Sequence, residues 1–191
     1  IQAYRREDRR VAVLAVDPSS PVRGGAILGD RVRMNQHATD SGVFIRSMSA
    51  RGHSGGLAEA TGDAICILQA MNFDLIILET VGVGQNEVEI VRHASTVVVI
   101  QIPGTGDAIQ SVKAGILEIG DMYVVNKSDL PGADRLASSL RDMLHVSAHG
   151  PAWHPPVLQV QANSGEGITE LVRAIDSHVK IGNMRTISVI E

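Results

Sequence analysis

Six short runs of β-branched and aliphatic residues recur along the 191-residue chain. They are VAVLAV (11–16), VFIRSM (43–48), FDLIILET (73–80), TVVVIQI (96–102), DMYVVN (121–126) and PVLQV (156–160). Each is nearly continuous in apolar character. A strand with one wet face alternates apolar and polar residues, whereas a strand covered on both faces does not. Between the runs lie segments with helical spacing, at 55–72, 106–119, 133–146 and 167–179; the first puts Leu57, Ile65, Leu68 and Met71 near one face. Strand–helix alternation with helix-length crossovers implies an α/β fold with a mostly parallel sheet. The segment HGPAWHPPV (149–157) reads as a loop, because its three prolines break any regular pattern.

Composition narrows the function classes. The length suits one domain with room for a core, and 44% hydrophobic residues argue for folding. A net charge of -4 argues against a protein that lives on nucleic acid or anionic membrane. With aromatics at 3%, stacking platforms for single strands are not expected. The single cysteine, Cys66, excludes an intrachain disulfide and fits a reducing cytoplasm. In the run AICILQAM it reads as a small core residue. No apolar stretch is long enough to span a bilayer. The opening IQAYRREDRR has no apolar core of a signal peptide. It reads as the exposed end of a helix already under way, so the natural chain is expected to begin earlier.

In open α/β sheets ligands sit beyond the carboxyl ends of the strands. Polar punctuation falls at those ends: DPSSP after the first run, ETVGVGQ after the third, PGTGD after the fourth, NKSD after the fifth and QANSGEG after the sixth. In Asn126-Lys127-Ser128-Asp129 the carboxylate of Asp129 can accept two parallel N–H bonds, which guanine offers on N1 and N2. Adenine does not, since its N1 is an acceptor, and it would leave a desolvated carboxylate unpaired at a cost of about 1–3 kcal/mol. Lys127 can lay its stem and charge over a purine face, and Asn126 can tie loops together and reach the base edge. The competing reading makes Ser128 or Asp129 the N-cap of the next helix.

Glu79 ends an apolar strand with Gly82 three residues on. An acid there can hold a hydrated magnesium ion, and the Gly82 N–H can approach a terminal phosphate. Contact that exists only with a triphosphate would make the GVGQ loop, with Gln85, a switch; the alternative is a strand-end turn with an exposed acid. Asp17 and, thirteen positions later, Asp30 supply further carboxylates for one magnesium, unless Asp17 merely opens an Asp-Pro turn. Lys113 is one of three lysines, with Lys127 and Lys180, and stands either on a switch edge or on a solvated helix.

Together these strings resemble the MeaB/ArgK/MMAA family of P-loop GTPases, the G-protein chaperones of adenosylcobalamin-dependent acyl-CoA mutases. The matching strings are VAVLAVDPSSP, GGAILGDRVRM, FIRSMSARGHSGGLA, ILETVGVGQNEVE, PGTGDAIQSVKAGILEIGD and NKSD, in family order over roughly residues 10–175. The resemblance implies a P-loop NTPase-like three-layer sandwich and a GTP-binding, GTP-hydrolysing metallochaperone. Its partner would be a cobalamin-dependent acyl-CoA mutase, such as methylmalonyl-CoA mutase, whose cobalamin loading it gates. It implies GTP and magnesium as ligands, a homodimer in the full-length form, and a cytoplasmic setting, or the mitochondrial matrix in a eukaryote. It gives Asp17, Asp30 and Glu79 to the magnesium and γ-phosphate side as catalytic and metal residues. Gly82, Asn126, Lys127, Asp129, Gln161, Ala162 and Asn163 become nucleotide-binding, with the Ala162 N–H on guanine O6. Residues 102–113, with Asp107 and Lys113, become the switch loop that speaks to the mutase, alongside Gln85.

Two departures stand out. The family more often has Ser where this chain has Gln161. Its G-x-x-x-x-G-K-[ST] phosphate loop has no counterpart, for no Gly-Lys pair occurs in the sequence. The chain is therefore expected to be a G domain over 1–180, lacking its first strand and phosphate loop, with a tail over 181–191. The neighbours of the missing central strand would expose backbone groups. Tight GTP binding and hydrolysis are not expected of these residues alone. Three other readings compete: a non-catalytic degenerate G domain, a nickel-delivery GTPase using His145, His149 and His154, and an ATP-dependent transport kinase, against which a guanine-selective Asp129 speaks.

Overall fold

The computed structural model describes residues 1–17, 34–49, 54–80, 93–104, 119–146, 153–182 and 186–190. The chain divides into two compact units, one of residues 1–95 with 184–190 and one of 96–183 with 191. Both are parallel α/β structures, the class expected from the apolar runs. No described helix is long and apolar enough to cross a membrane.

The first unit holds α1 (Gln2–Arg5), β1 (Val11–Asp17), β2 (Val43–Ser49), α2 (Ser54–Ala70), β3 (Leu75–Thr80) and β7 (Thr186–Ile190). Its strands run β2-β1-β3-β7, all parallel. Residues 11–16 of β1 are all buried, as an unbroken apolar run requires. Ala12, Leu14 and Val16 pack with Ile76 and Leu78 of β3 beneath Ile65 and Leu68 of α2 and Phe73. That register leaves Cys66 exposed, correcting the expectation of a core thiol. On a helix whose inward residues are Ile65 and Leu68, position 66 is rotated about 100° off the buried stripe. Met71 is also exposed, because α2 ends at Ala70.

The end of α2 is a Schellman turn. Phe73 N–H donates to Leu68 O at 3.3 Å and Asn72 N–H to Gln69 O at 3.0 Å, with Asn72 left-handed at φ 58°. The Arg10 guanidinium donates to the Met71 carbonyl at 2.6 Å and lies 4.5 Å from the Phe73 ring centre. Arg10 N–H also donates to Asp74 at 2.8 Å, which fixes the start of β1 beside that of β3.

Residues 181–191, read from the sequence as a tail, hold the end of α4 (introduced below) and strand β7. The second edge of β3 is paired with β7, from Ile76↔Thr186 to Thr80↔Ile190. Thr186, Ile187 and Ser188 are buried. The Thr186 Oγ1 and Ser188 Oγ atoms have no hydrogen-bond partner among the described residues.

The second unit holds β4 (Thr96–Gln101), β5 (Met122–Asn126), α3 (Ala133–Val146), β6 (Val157–Val160) and α4 (Ile168–Gly182). β5 is central, parallel to β4 and β6. Met122, Tyr123, Val124 and Val125 are fully buried, and Leu140 of α3 joins their core. At the amino ends of β4 and β5 a polar cluster closes the unit. Asp121 accepts the Val97 N–H at 2.8 Å through Oδ2, and its carbonyl accepts the Trp153 indole N–H at 2.7 Å. His178 of α4 lies between Thr96 Oγ1 at 3.0 Å and Asp121 Oδ1 at 3.4 Å, with its ring centre 4.7 Å from that of Trp153.

Candidate functional site

At the carboxyl ends of β5 and β6 the sequence turns polar on two neighbouring strands. Register pairs Asn126 with Val160, so the loops that follow leave the sheet side by side. Ser128 N–H donates to Val160 O at 3.1 Å and ties the first loop to the end of β6. Asn126 Oδ1 accepts both the Lys127 N–H at 2.8 Å and the Ala162 N–H at 3.2 Å. The loop-tying role expected of Asn126 is therefore present.

Lys127 is left-handed at φ 55°. A non-glycine residue there costs of order 1–3 kcal/mol, and such strain gathers at functional sites. Its side chain is exposed, as is that of Asp129. Asp129 has no hydrogen-bond or ion-pair partner among the described residues. The helix-capping reading of this motif fails, since α3 begins only at Ala133, after Gly132 at φ 92°. Neither Ser128 nor Asp129 stands immediately before the first helical turn, where an N-cap belongs. Instead Leu130 N–H closes a turn on Lys127 O at 2.9 Å, which leaves the carboxylate to solvent.

The second loop, 161–167, is closed by its own hydrogen bonds. Gln161 N–H donates to Glu166 O at 3.0 Å, and Gly165 N–H to Gln161 O at 2.9 Å. The Gln161 side-chain amide donates to the Glu166 carboxylate. Gly165 and Gly167 have φ of 84° and 73°, and a Cβ on Gly167 would collide with the Gln159 carbonyl oxygen. Ala162 and Asn163 are exposed at the loop tip. Of the expected base residues, then, Asn126, Lys127, Asp129, Gln161, Ala162 and Asn163 come together on one edge of one unit. Sequence reasoning did not single out Glu166. A glutamate between two glycines carries no signal of its own until the loop is seen to fold back on Gln161.

In the first unit, the acids lie at the carboxyl ends of β1 and β3. Glu79 is half-buried and pairs in register with Ala15. Asp17 stands two residues beyond Ala15, about 6.6 Å further along the strand, with its backbone beside Ser49. Asp30, Gly82, Gln85, Asp107 and Lys113 lie outside the described residues. Among the described residues no three His, Cys, Asp or Glu side chains gather as a metal set. His145 and His154 are both exposed and form no such group, and His149 lies outside the described residues.

The model of the methylmalonyl-CoA mutase-associated GTPase MeaB matches this chain over residues 1–187. The chain belongs to the MeaB family. A protein of Pyrococcus horikoshii is 51% identical over 183 residues, which are 94% of this chain and 58% of that protein. The GTPase ArgK of Escherichia coli is 41% identical over 89% of this chain and 53% of its own length. The methylmalonic aciduria type A homolog, mitochondrial, of Mus musculus is 37% identical over 86% of this chain and 41% of its own. The chain thus spans about half the length of the curated relatives it matches. Within this MeaB-family chain, the 126–129 and 161–167 loops bring polar residues together at the carboxyl ends of β5 and β6.

Proposed function

We propose that this chain is the guanine-nucleotide part of a MeaB-type GTPase that serves a cobalamin-dependent acyl-CoA mutase. The Asp129 carboxylate would accept guanine N1–H and N2–H, the Lys127 stem would cover the base, and the Ala162 N–H would meet O6. Asn126 would hold the two loops together, and Asn163 would line the rim. What carries this reading is an exposed, unpartnered Asp129 beside a strained Lys127 and the Ala162 N–H, in a loop where helix capping has failed as an explanation. Its donors and acceptors match guanine and mismatch adenine.

On the acid side, Asp17, Asp30 and Glu79 are the proposed magnesium and γ-phosphate residues. Glu79, half-buried at a strand end, is a hard oxygen donor of the kind magnesium takes. A magnesium ion bound there would neutralise charge on the terminal phosphates. Gly82 would offer its N–H to the γ-phosphate, and Gln85, Asp107 and Lys113 would relay its presence to the mutase. The reaction of the longer protein would be in-line attack of water on the γ-phosphate, driven by positioning and electrostatics. Hydrolysis would gate cobalamin loading. A homodimer and a reducing compartment, cytoplasm or matrix, complete the reading.

The test is an amide-resolved NMR titration of the 191-residue chain with GDP and with ADP. With no Gly-Lys pair in the sequence, base contacts carry the affinity, so dissociation constants weaker than micromolar are expected. GDP should move the amides of Asn126, Lys127, Asp129 and Ala162 saturably, and ADP should not. Equal responses to the two nucleotides would overturn the guanine reading.

A further inference from the structure

The 161–167 loop contains a contact that base recognition does not require. The Gln161 side-chain amide is committed to the Glu166 carboxylate, across the same two residues whose backbones form an antiparallel bridge. Ser164 Oγ donates to the Gln161 carbonyl at 3.3 Å and accepts the Glu166 N–H at 3.3 Å. The loop is thereby closed twice, once through its backbone and once through a charge-assisted side-chain bond. Ala162, the residue directly after Gln161, is held at its tip.

We propose that Glu166 is a positioning residue: by clasping Gln161 it aims the Ala162 N–H at the 6-oxo group of the base. This rests on the guanine reading above and deepens it. One of the two Gln161 amide N–H donors is thereby committed to Glu166, so the clasp gives Gln161 a part in the loop besides any contact with the base. In the free protein the Ala162 N–H donates to Asn126 Oδ1 over a long 3.2 Å. Asn126 Oδ1 keeps a second donor, the Lys127 N–H at 2.8 Å, so O6 can take over the Ala162 N–H without stranding the amide oxygen. The direction of that N–H depends on the 161–166 bridge, and an N–H···O bond weakens steeply once misaligned.

An aimed Ala162 N–H leaves a signature that general loop damage does not. Three probes separate the contacts: GDP carries all of them, IDP lacks the 2-amino group that meets Asp129, and 6-thio-GDP replaces O6 with a poor acceptor. In the wild-type chain GDP should bind about fivefold more tightly than 6-thio-GDP, the worth of one neutral hydrogen bond, and more tightly than IDP, whose lost bond is to a carboxylate, by about tenfold or more. In Glu166→Ala the preference for GDP over 6-thio-GDP should fall to about one, while that over IDP stays at its wild-type value. Glu166→Gln, whose amide oxygen can still accept from Gln161, should keep both preferences.

If Glu166→Ala weakens all three nucleotides by one common factor, or none, the clasp does not aim the N–H and the proposal is overturned. A wild-type chain that separates GDP from IDP but not from 6-thio-GDP overturns it as well, while leaving Asp129 recognition standing. A wild-type chain that fails to separate GDP from IDP, or binds neither, overturns the guanine reading and the clasp together.

Discussion

The two ends of the β4–β6 unit use polar groups to opposite effect. At the amino end, Asp121, His178, Thr96 and Trp153 satisfy one another and the Val97 N–H within the fold. At the carboxyl end, Lys127 and Asp129 point to water, and the Ala162 N–H is engaged only at 3.2 Å. Polar groups that pair among themselves inside a fold hold it together, whereas polar groups at the surface are satisfied by water and stay free to exchange it for a ligand. The contrast separates structural polarity from functional polarity within one sheet. It also says which end a substitution should weaken and how.

The largest effect belongs to the amino end. Asp121→Ala leaves the Val97 N–H and the His178 ring without their acceptor, and should cost about 3 kcal/mol in chemical denaturation. Amide shifts at the base loops on GDP addition should persist, because the lesion is at the far end of the strands. Alkaline unfolding probes the same end. Burial, helped by the nearby Asp121 charge, pushes the Tyr123 phenol up to about 12. The unfolded phenol loses its proton near 10, so the native state binds that proton more tightly. This part of the stability should be complete below pH 10 and lost as pH rises toward 12, and Tyr123→Phe should flatten that slope.

Smaller effects belong to the carboxyl end. Lys127→Gly relieves a left-handed backbone at φ 55° and should gain about 0.5 kcal/mol, after the greater unfolded-state freedom of glycine is subtracted. It should nonetheless weaken GDP. Asp129→Ala should change stability by less than about 0.5 kcal/mol while abolishing the preference for GDP over ADP. A large loss of stability in Asp129→Ala, or none in Asp121→Ala, would break the contrast.

Much of this architecture was legible in the sequence. The runs at 11–16 and 121–126 became β1 and β5 almost residue for residue, because a strand buried on both faces has no room for polar alternation. The run at 43–48 became β2, an edge strand whose Phe44 and Arg46 are exposed, so its expected cover on both faces is not met. The loop at 126–129 was marked in the sequence too, since Asn126, Lys127 and Asp129 carry chemistry in their order, and the structure puts it at the carboxyl end of β5. Four things were not. Cys66 was read as core because an apolar neighbourhood does not report which way a helix turns. Asp121 and His178 meet across 57 residues, and nothing local to either marks the other. Glu166 acts through a fold-back of the 161–167 loop that two left-handed glycines permit, a matter of backbone geometry rather than composition. β7 supplied a partner for β3 from residues whose sequence read only as a tail.

The central claim is that Asp129 reads the 2-position of the base, and Asp129→Asn tests it most directly. An asparagine amide can donate to the 2-oxo group of xanthine, which the wild-type carboxylate repels. The account predicts that wild type binds GDP over XDP and that Asp129→Asn binds XDP over GDP, with the same loop amides shifting in both. An Asp129→Asn chain that ranks the two nucleotides as the wild type does would contradict it.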